Sequence, residues 1–200
     1  MVKIINQTNG LKFLQHEAEM IERNTSYVDD EMTSVPAAFF QNKTNIVSIY
    51  LPNVTIIGEN AFNGCTNLRM AVFPKVIDIG NNAFLNCVNL DTVVLFDSGD
   101  NGTIQPSTRP TIGISAFYGC TNLSTLYLGY TSSPEINATV ASTFGNTLLN
   151  STASTAGKIY VLTSTEVTNY KKAAAGAWSK NYLNNKLTAS KYTGFPIINS

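Results

Sequence analysis

Cys65, Cys87 and Cys120 each stand three residues after a phenylalanine, and they are the first residues to question for chemistry. Thiols can pair, hold a metal or attack a carbonyl, and each role needs partners. A disulfide would use two of the three and leave one over. Cysteines in the same slot of a stacked array otherwise serve as small buried hydrophobes, which is the reading preferred for this column. Zinc needs more ligands than one such column offers, and the single histidine, His16, stands far away near the N-terminus. A lone histidine also argues against Ser-His-Asp and Cys-His nucleophilic catalysis. Asp97 and Asp100, in DSGDNG, lack the alternating ligands and distant glutamate of an EF-hand calcium loop and read as a solvated turn. Sequons such as Asn53-Val54-Thr55 and Asn137-Ala138-Thr139 are expected by chance in a chain with 23 Asn and 23 Thr. The expectation is a protein that is not an enzyme and carries neither metal nor cofactor.

The cysteines draw attention to what surrounds them. IGENAFNGCTNL at 57–68 returns as IGNNAFLNCVNL at 79–90 and as IGISAFYGCTNL at 112–123. One copy cannot bury its apolar side alone, so the recurrence predicts a solenoid of stacked units. Phe40, Phe62 and Phe84 are 22 residues apart, which makes the stretch around Phe40 a degenerate first copy. There Val35 stands for Ile57, Phe39 for Ala61, Lys43 for Cys65 and Ile46 for Leu68. Phe84 and Phe117 are 33 apart, so 11 extra residues lie between Leu95 and Ile112; that segment is rich in Gly, Pro, Asp and Ser and reads as a loop insertion over 96–111. A fifth, weaker unit has Phe144 in the phenylalanine place and a strand at Ile159-Tyr160-Val161.

Within a unit, Leu68, Ala71 and Phe73 share slots with Leu90, Val93, Leu95 and with Leu123, Leu126, Leu128, as a short strand with alternate residues inward requires. Phe40, Phe62, Phe84, Phe117 and Phe144 form a second buried column beside the cysteines. Gly58, Gly80 and Gly113 call for positive φ or for close approach of neighbouring coils. Asn67, Asn89 and Asn122 can bond the backbone of a stacked turn.

The strand residue between two inward slots points out, and across five units it is Tyr50, Val72, Val94, Tyr127 and Tyr160. In register these make a continuous exposed stripe, flanked by a polar rim of Arg69, Asp91 and Ser124, where a partner could bind. The competing reading is a cross-strand ladder covered by insertion loops or merely tolerated on the sheet surface.

The ends differ from the array. Leu11, Leu14, Ala18 and Ile21 follow helical spacing, so residues 1–24 read as a helix that closes the solenoid, with a stem that trimerises or plugs into a larger assembly as the alternative. Residues 25–164 form the array and 165–200 a helical C-terminal cap, through Trp178, Tyr182 and Leu187, with the apolar tail Tyr192 to Ile198. Helix or tail could join copies into a homo-oligomer.

Lysine plus arginine equal aspartate plus glutamate at 13 each, so no electrostatic footprint for nucleic acid or an anionic membrane exists. MVKIINQTNG has no signal-peptide core, and no apolar window approaches the ~20 residues of a membrane span. The chain reads as soluble and outside Sec export, leaving by another route such as lysis, unless a leader or anchor lies beyond it.

These residues resemble the BspA-type, or treponemal-type, leucine-rich repeat family, whose unit reads IGxxAFxxCxxLxxIxLP. The similarity covers three full and two degenerate copies over roughly residues 25 to 185, including the closing IYV and YKKAAAGAW runs. The resemblance implies a leucine-rich repeat solenoid of about five ~22-residue units with short strands on one face and a helical cap at either end. It also implies a non-enzymatic module that binds a protein or glycan, since family members are often surface proteins of bacteria and mucosal protists that stick to host matrix or other cells. Short members opening with a segment like IERNTSYVDDEMTSV are similar to phage and prophage proteins, so display on a virion for host attachment or assembly is expected, with a bacterial surface adhesin as the alternative.

Overall fold

The computed structural model describes residues 25–95, 111–128, 135–136, 143–150, 157–161 and 187–189. Among the described residues, the first five coils each contribute one strand to each of two parallel sheets, and two further strands extend one of them. The long sheet holds β1 (Thr25–Val28), β3 (Ile46–Tyr50), β5 (Met70–Phe73), β7 (Thr92–Leu95), β9 (Thr125–Leu128), β11 (Lys158–Val161) and β12 (Leu187–Ala189), side by side in that order. Two-residue strands β2 (Ser34–Val35), β4 (Ile56–Ile57), β6 (Asp78–Ile79), β8 (Thr111–Ile112) and β10 (Glu135–Ile136) make the short sheet. A uniform one-coil offset between paired residues, such as Ala71 with Val93 and Val93 with Leu126, makes this a solenoid.

Alternation along the strands puts the core between the sheets. Ala71 and Phe73 in β5, Val93 and Leu95 in β7, and Leu126 and Leu128 in β9 are all buried. The phenylalanine column is a ring stack: Phe40 on Phe62 at 5.0 Å, Phe62 on Phe84 at 4.9 Å, Phe84 on Phe117 at 5.1 Å and Phe117 on Phe144 at 5.4 Å, with planes within 7° of parallel. Equal spacing of equal side chains on stacked coils leaves the rings this one common orientation. At the N-terminal end the stack is closed edge-on by Tyr27, 5.1 Å from Phe40, and by Phe39, 4.7 Å from it.

The glycine question resolves in favour of close approach. A Cβ built on Gly58 would lie 2.5 Å from the amide nitrogen of Ala37, and one on Gly80 would lie 2.7 Å from that of Glu59. Apart from Gly157, positive φ among the described residues falls at two recurring places in the coil. The first is the residue before each Ala-Phe pair: Asn60, Asn82 and, less comfortably, Ser115, with Ala38 in the equivalent place of the first coil. The second is Asn42, Gly64, Asn86, Gly119 and Asn146. Left-handed backbone favours Asn and Gly, which accounts for part of the asparagine-rich composition. The ladder expected of the other asparagines is present. Asn67 Nδ2 donates to the Thr44 carbonyl at 2.6 Å and Asn89 Nδ2 to that of Thr66 at 2.8 Å, while Asn122 reaches the Asn89 side-chain oxygen at 3.4 Å.

Three expectations change. The long sheet has seven rungs, because β1 and β12 extend it beyond the five phenylalanine-bearing units. Leu187, assigned from its spacing to a helical cap, lies in β12 paired with Ile159, so the sheet continues into the region read as the cap. Thr111, counted in the insertion, is the first residue of β8. The helix expected over 1–24, residues 96–110 of the insertion, and Trp178, Tyr182 and the tail lie outside the described residues.

Candidate binding face

The cysteines belong to the scaffold. All three are free and buried. Cys65 Sγ lies 2.9 Å from the Phe40 carbonyl oxygen, Cys87 Sγ 3.0 Å from that of Phe62, and Cys120 Sγ 2.9 Å from that of Phe84, each a thiol donating to the coil before it. The Phe62 and Phe84 carbonyls also accept the amide of the cysteine three residues on, at 3.0 and 3.2 Å. Each thiol thereby fills a second lone pair that the turn leaves open. The neighbouring Cys87 thiol and burial push the Cys65 thiol far above its ordinary range, and burial does the same to Cys87. Such thiols are poor nucleophiles. Among the described residues no group of three or more His, Cys, Asp or Glu is placed to hold a metal. His16, Asp97 and Asp100 lie outside those residues.

Long-sheet register brings the outward residues into one column. Tyr50 pairs with Val72, Val72 with Val94, Val94 with Tyr127, and Tyr127 with Tyr160. The sequence reading missed the start of this column at Val28, which pairs with Tyr50, and its continuation to Thr188, which pairs with Tyr160. The column is not continuously exposed. Val72 is 5% and Val94 1% exposed, and the two form a cluster separate from the main core, packed against by Tyr50, Met70 and Tyr127. Short branched side chains between larger neighbours are covered by them, so the stripe divides into half-buried tyrosines around an apolar middle. Its C-terminal part is a stack, with the Tyr127 and Tyr160 rings 5.0 Å apart and 20° from parallel. Of the predicted rim, Arg69 and Asp91 are exposed and Ser124 is half-buried. The backbone aligns the three, since the Asp91 amide donates to the Arg69 carbonyl at 2.9 Å and that of Ser124 to the Asp91 carbonyl at 3.1 Å.

A second outward row also escaped the sequence reading. Ser26, Ser48, Met70, Thr92, Thr125 and Lys158 stand in register one step before the tyrosine column. Ser48 Oγ donates to Ser26 Oγ at 2.7 Å, and the Ser124 and Thr125 hydroxyls are 3.2 Å apart. Strand periodicity contained this signal: a residue two before an outward one also faces outward. The face therefore joins an aromatic row to a mostly hydroxyl row. Among the described residues no helix is long and apolar enough to cross a membrane.

Comparison with known proteins agrees with this architecture. No curated protein matches the chain. The family model described as BspA type leucine rich repeat region matches residues 33–164 in six copies, where the phenylalanines mark five. With paired parallel sheets, a stacked phenylalanine column and that match over more than half its length, the chain belongs to the BspA-type leucine-rich repeat family.

Proposed function

We propose that this protein is a non-enzymatic module that engages a protein or glycan partner through the outer face of the long sheet, displayed on a phage particle or, in a second setting, on a bacterial cell surface. Binding to proteins is the general trade of leucine-rich repeats, and the Tyr127–Tyr160 stack is the observation that carries the choice of face. A stacked pair is held rigid before any partner arrives, so little side-chain entropy remains to be lost on binding. Tyrosine offers both apolar area and a hydroxyl, the combination that dominates interface energetics. The neighbouring Thr125 and Ser124 hydroxyls and the exposed Arg69 and Asp91 provide polar groups beside it. The particle setting draws its support from the likeness of residues 21–35 to phage-borne members of the family.

The test uses the purified chain and its Tyr127→Ser/Tyr160→Ser variant, pelleted with intact bacterial cells and, separately, with purified virions. Retention of the wild type should fall at least tenfold in the variant, with melting temperatures within a few degrees. Unchanged retention would reject the face. Retention by virions but not by cells would place the module in particle assembly.

A further inference from the structure

Asn42, Gly64, Asn86, Gly119 and Asn146 occupy one corner of five successive coils, and Asn and Gly alternate along it without exception. All five have left-handed backbone, with φ of 60°, 74°, 59°, 76° and 60°. Left-handed backbone accepts either residue, so it does not explain the alternation. The contacts do. The side-chain oxygen of Asn42 occupies the space that a Cβ on Gly64 would fill, and that of Asn86 occupies the same space over Gly119. The corners are in direct contact: the Asn42 amide donates to the Asn63 carbonyl at 2.8 Å, Gly64 to Leu85 at 2.9 Å, Asn86 to Tyr118 at 2.9 Å and Gly119 to Gly145 at 2.9 Å. Asn42 and Asn86 thus lean over the coils that follow them, and in both of these pairs the covered residue lacks a side chain.

We propose that this alternation locks the order in which the coils stack. Copies this similar invite slippage, because a slip of one unit still sets phenylalanine on phenylalanine and keeps most of the other apolar contacts. At this corner the slip is not neutral. It sets asparagine on asparagine, so that a Cβ and its amide enter space already holding an amide, and glycine on glycine, where the contact is lost. Exchange of coils between two chains meets the same mismatch whenever like copies stack. The corner works as a polar residue does in a coiled-coil seam, penalising wrong registers more than it strengthens the right one.

Two measurements test the lock. In a double-mutant cycle, Gly64→Ala should lower the melting temperature less in an Asn42→Gly background than in the wild type, because no amide remains to be displaced. Equal losses would overturn the contact as the cause. The Asn42→Gly/Asn86→Gly variant keeps residues suited to the backbone while removing the discrimination. Refolded from urea at high concentration, it should yield a several-fold larger share of exchanged dimers by size exclusion than the wild type. An unchanged dimer share would overturn the role in register.

Discussion

Cys87 Sγ donates to the carbonyl oxygen of Phe62, 3.0 Å away in the preceding coil, tying the thiol column to the phenylalanine column one coil apart. This makes stability depend on protonated thiols. The folded state raises the pKa of Cys65 and Cys87, whereas an unfolded thiol ionises near 8.5. Above that pH the unfolded chain sheds protons that the native chain keeps, so their contribution is complete below the unfolded pKa and declines as pH rises past it. The slope should approach about 1.4 kcal/mol per pH unit for each thiol. Urea titrations at pH 8, 9 and 10 measure it, and the Cys65→Ala/Cys87→Ala variant should flatten the dependence. Equal slopes in the two proteins would refute the account.

Phe84 sits between Phe62 and Phe117 with near-parallel rings, and Phe73 tilts against it at 5.8 Å. Phe84→Ala should cost about 3–5 kcal/mol, because rigid coils on either side cannot collapse onto the gap. A loss below about 1 kcal/mol in chemical denaturation would mean that the stack is not supporting the array.

Gly80→Ala should be worse than its one added methyl suggests. The new Cβ would meet the Glu59 amide nitrogen at 2.7 Å and the Gly58 carbonyl carbon at 2.8 Å, backbone atoms that move only if the coils part. A drop in melting temperature of at least ten degrees, or loss of soluble protein, is expected. A melting curve like the wild type's would contradict the close approach.

Thr143 replaces the alanine found at Ala61, Ala83 and Ala116, and its buried hydroxyl has no hydrogen-bond partner. Removing an unsatisfied buried donor is favourable, so Thr143→Ala should stabilise by about 1 kcal/mol. Destabilisation of similar size in urea would show that the hydroxyl is satisfied in solution.

Much of this molecule is legible in its residues because one short pattern is written several times. Spacing alone places Ile57, Ile79 and Ile112 in equivalent positions and Phe62, Phe84 and Phe117 in one column, and both placements hold in the fold, but the second sheet that the isoleucines form went unread, since only strands on one face were expected. The thiol role is half legible. Equal spacing predicts a buried column, but the bond to the preceding phenylalanine carbonyl depends on how neighbouring coils are offset. Leu187 misled because Trp178, Tyr182 and Leu187, four and five residues apart, can be read as the apolar face of a helix; its pairing with Ile159 along the edge of β11 is something a local reading cannot see.

The binding face divides in the same way. Strand periodicity by itself determined which residues point outward, Tyr50, Val72, Val94, Tyr127 and Tyr160 among them, because adjacent side chains on a pleated strand must alternate. Only the tertiary structure decided what each outward residue became. Stacking the coils at one uniform offset set Tyr127 against Tyr160 as a ring pair and closed Tyr50, Met70 and Tyr127 around Val72 and Val94. Exposure is a property of neighbours in space, and the neighbours paired along this column are more than 20 residues apart in the chain.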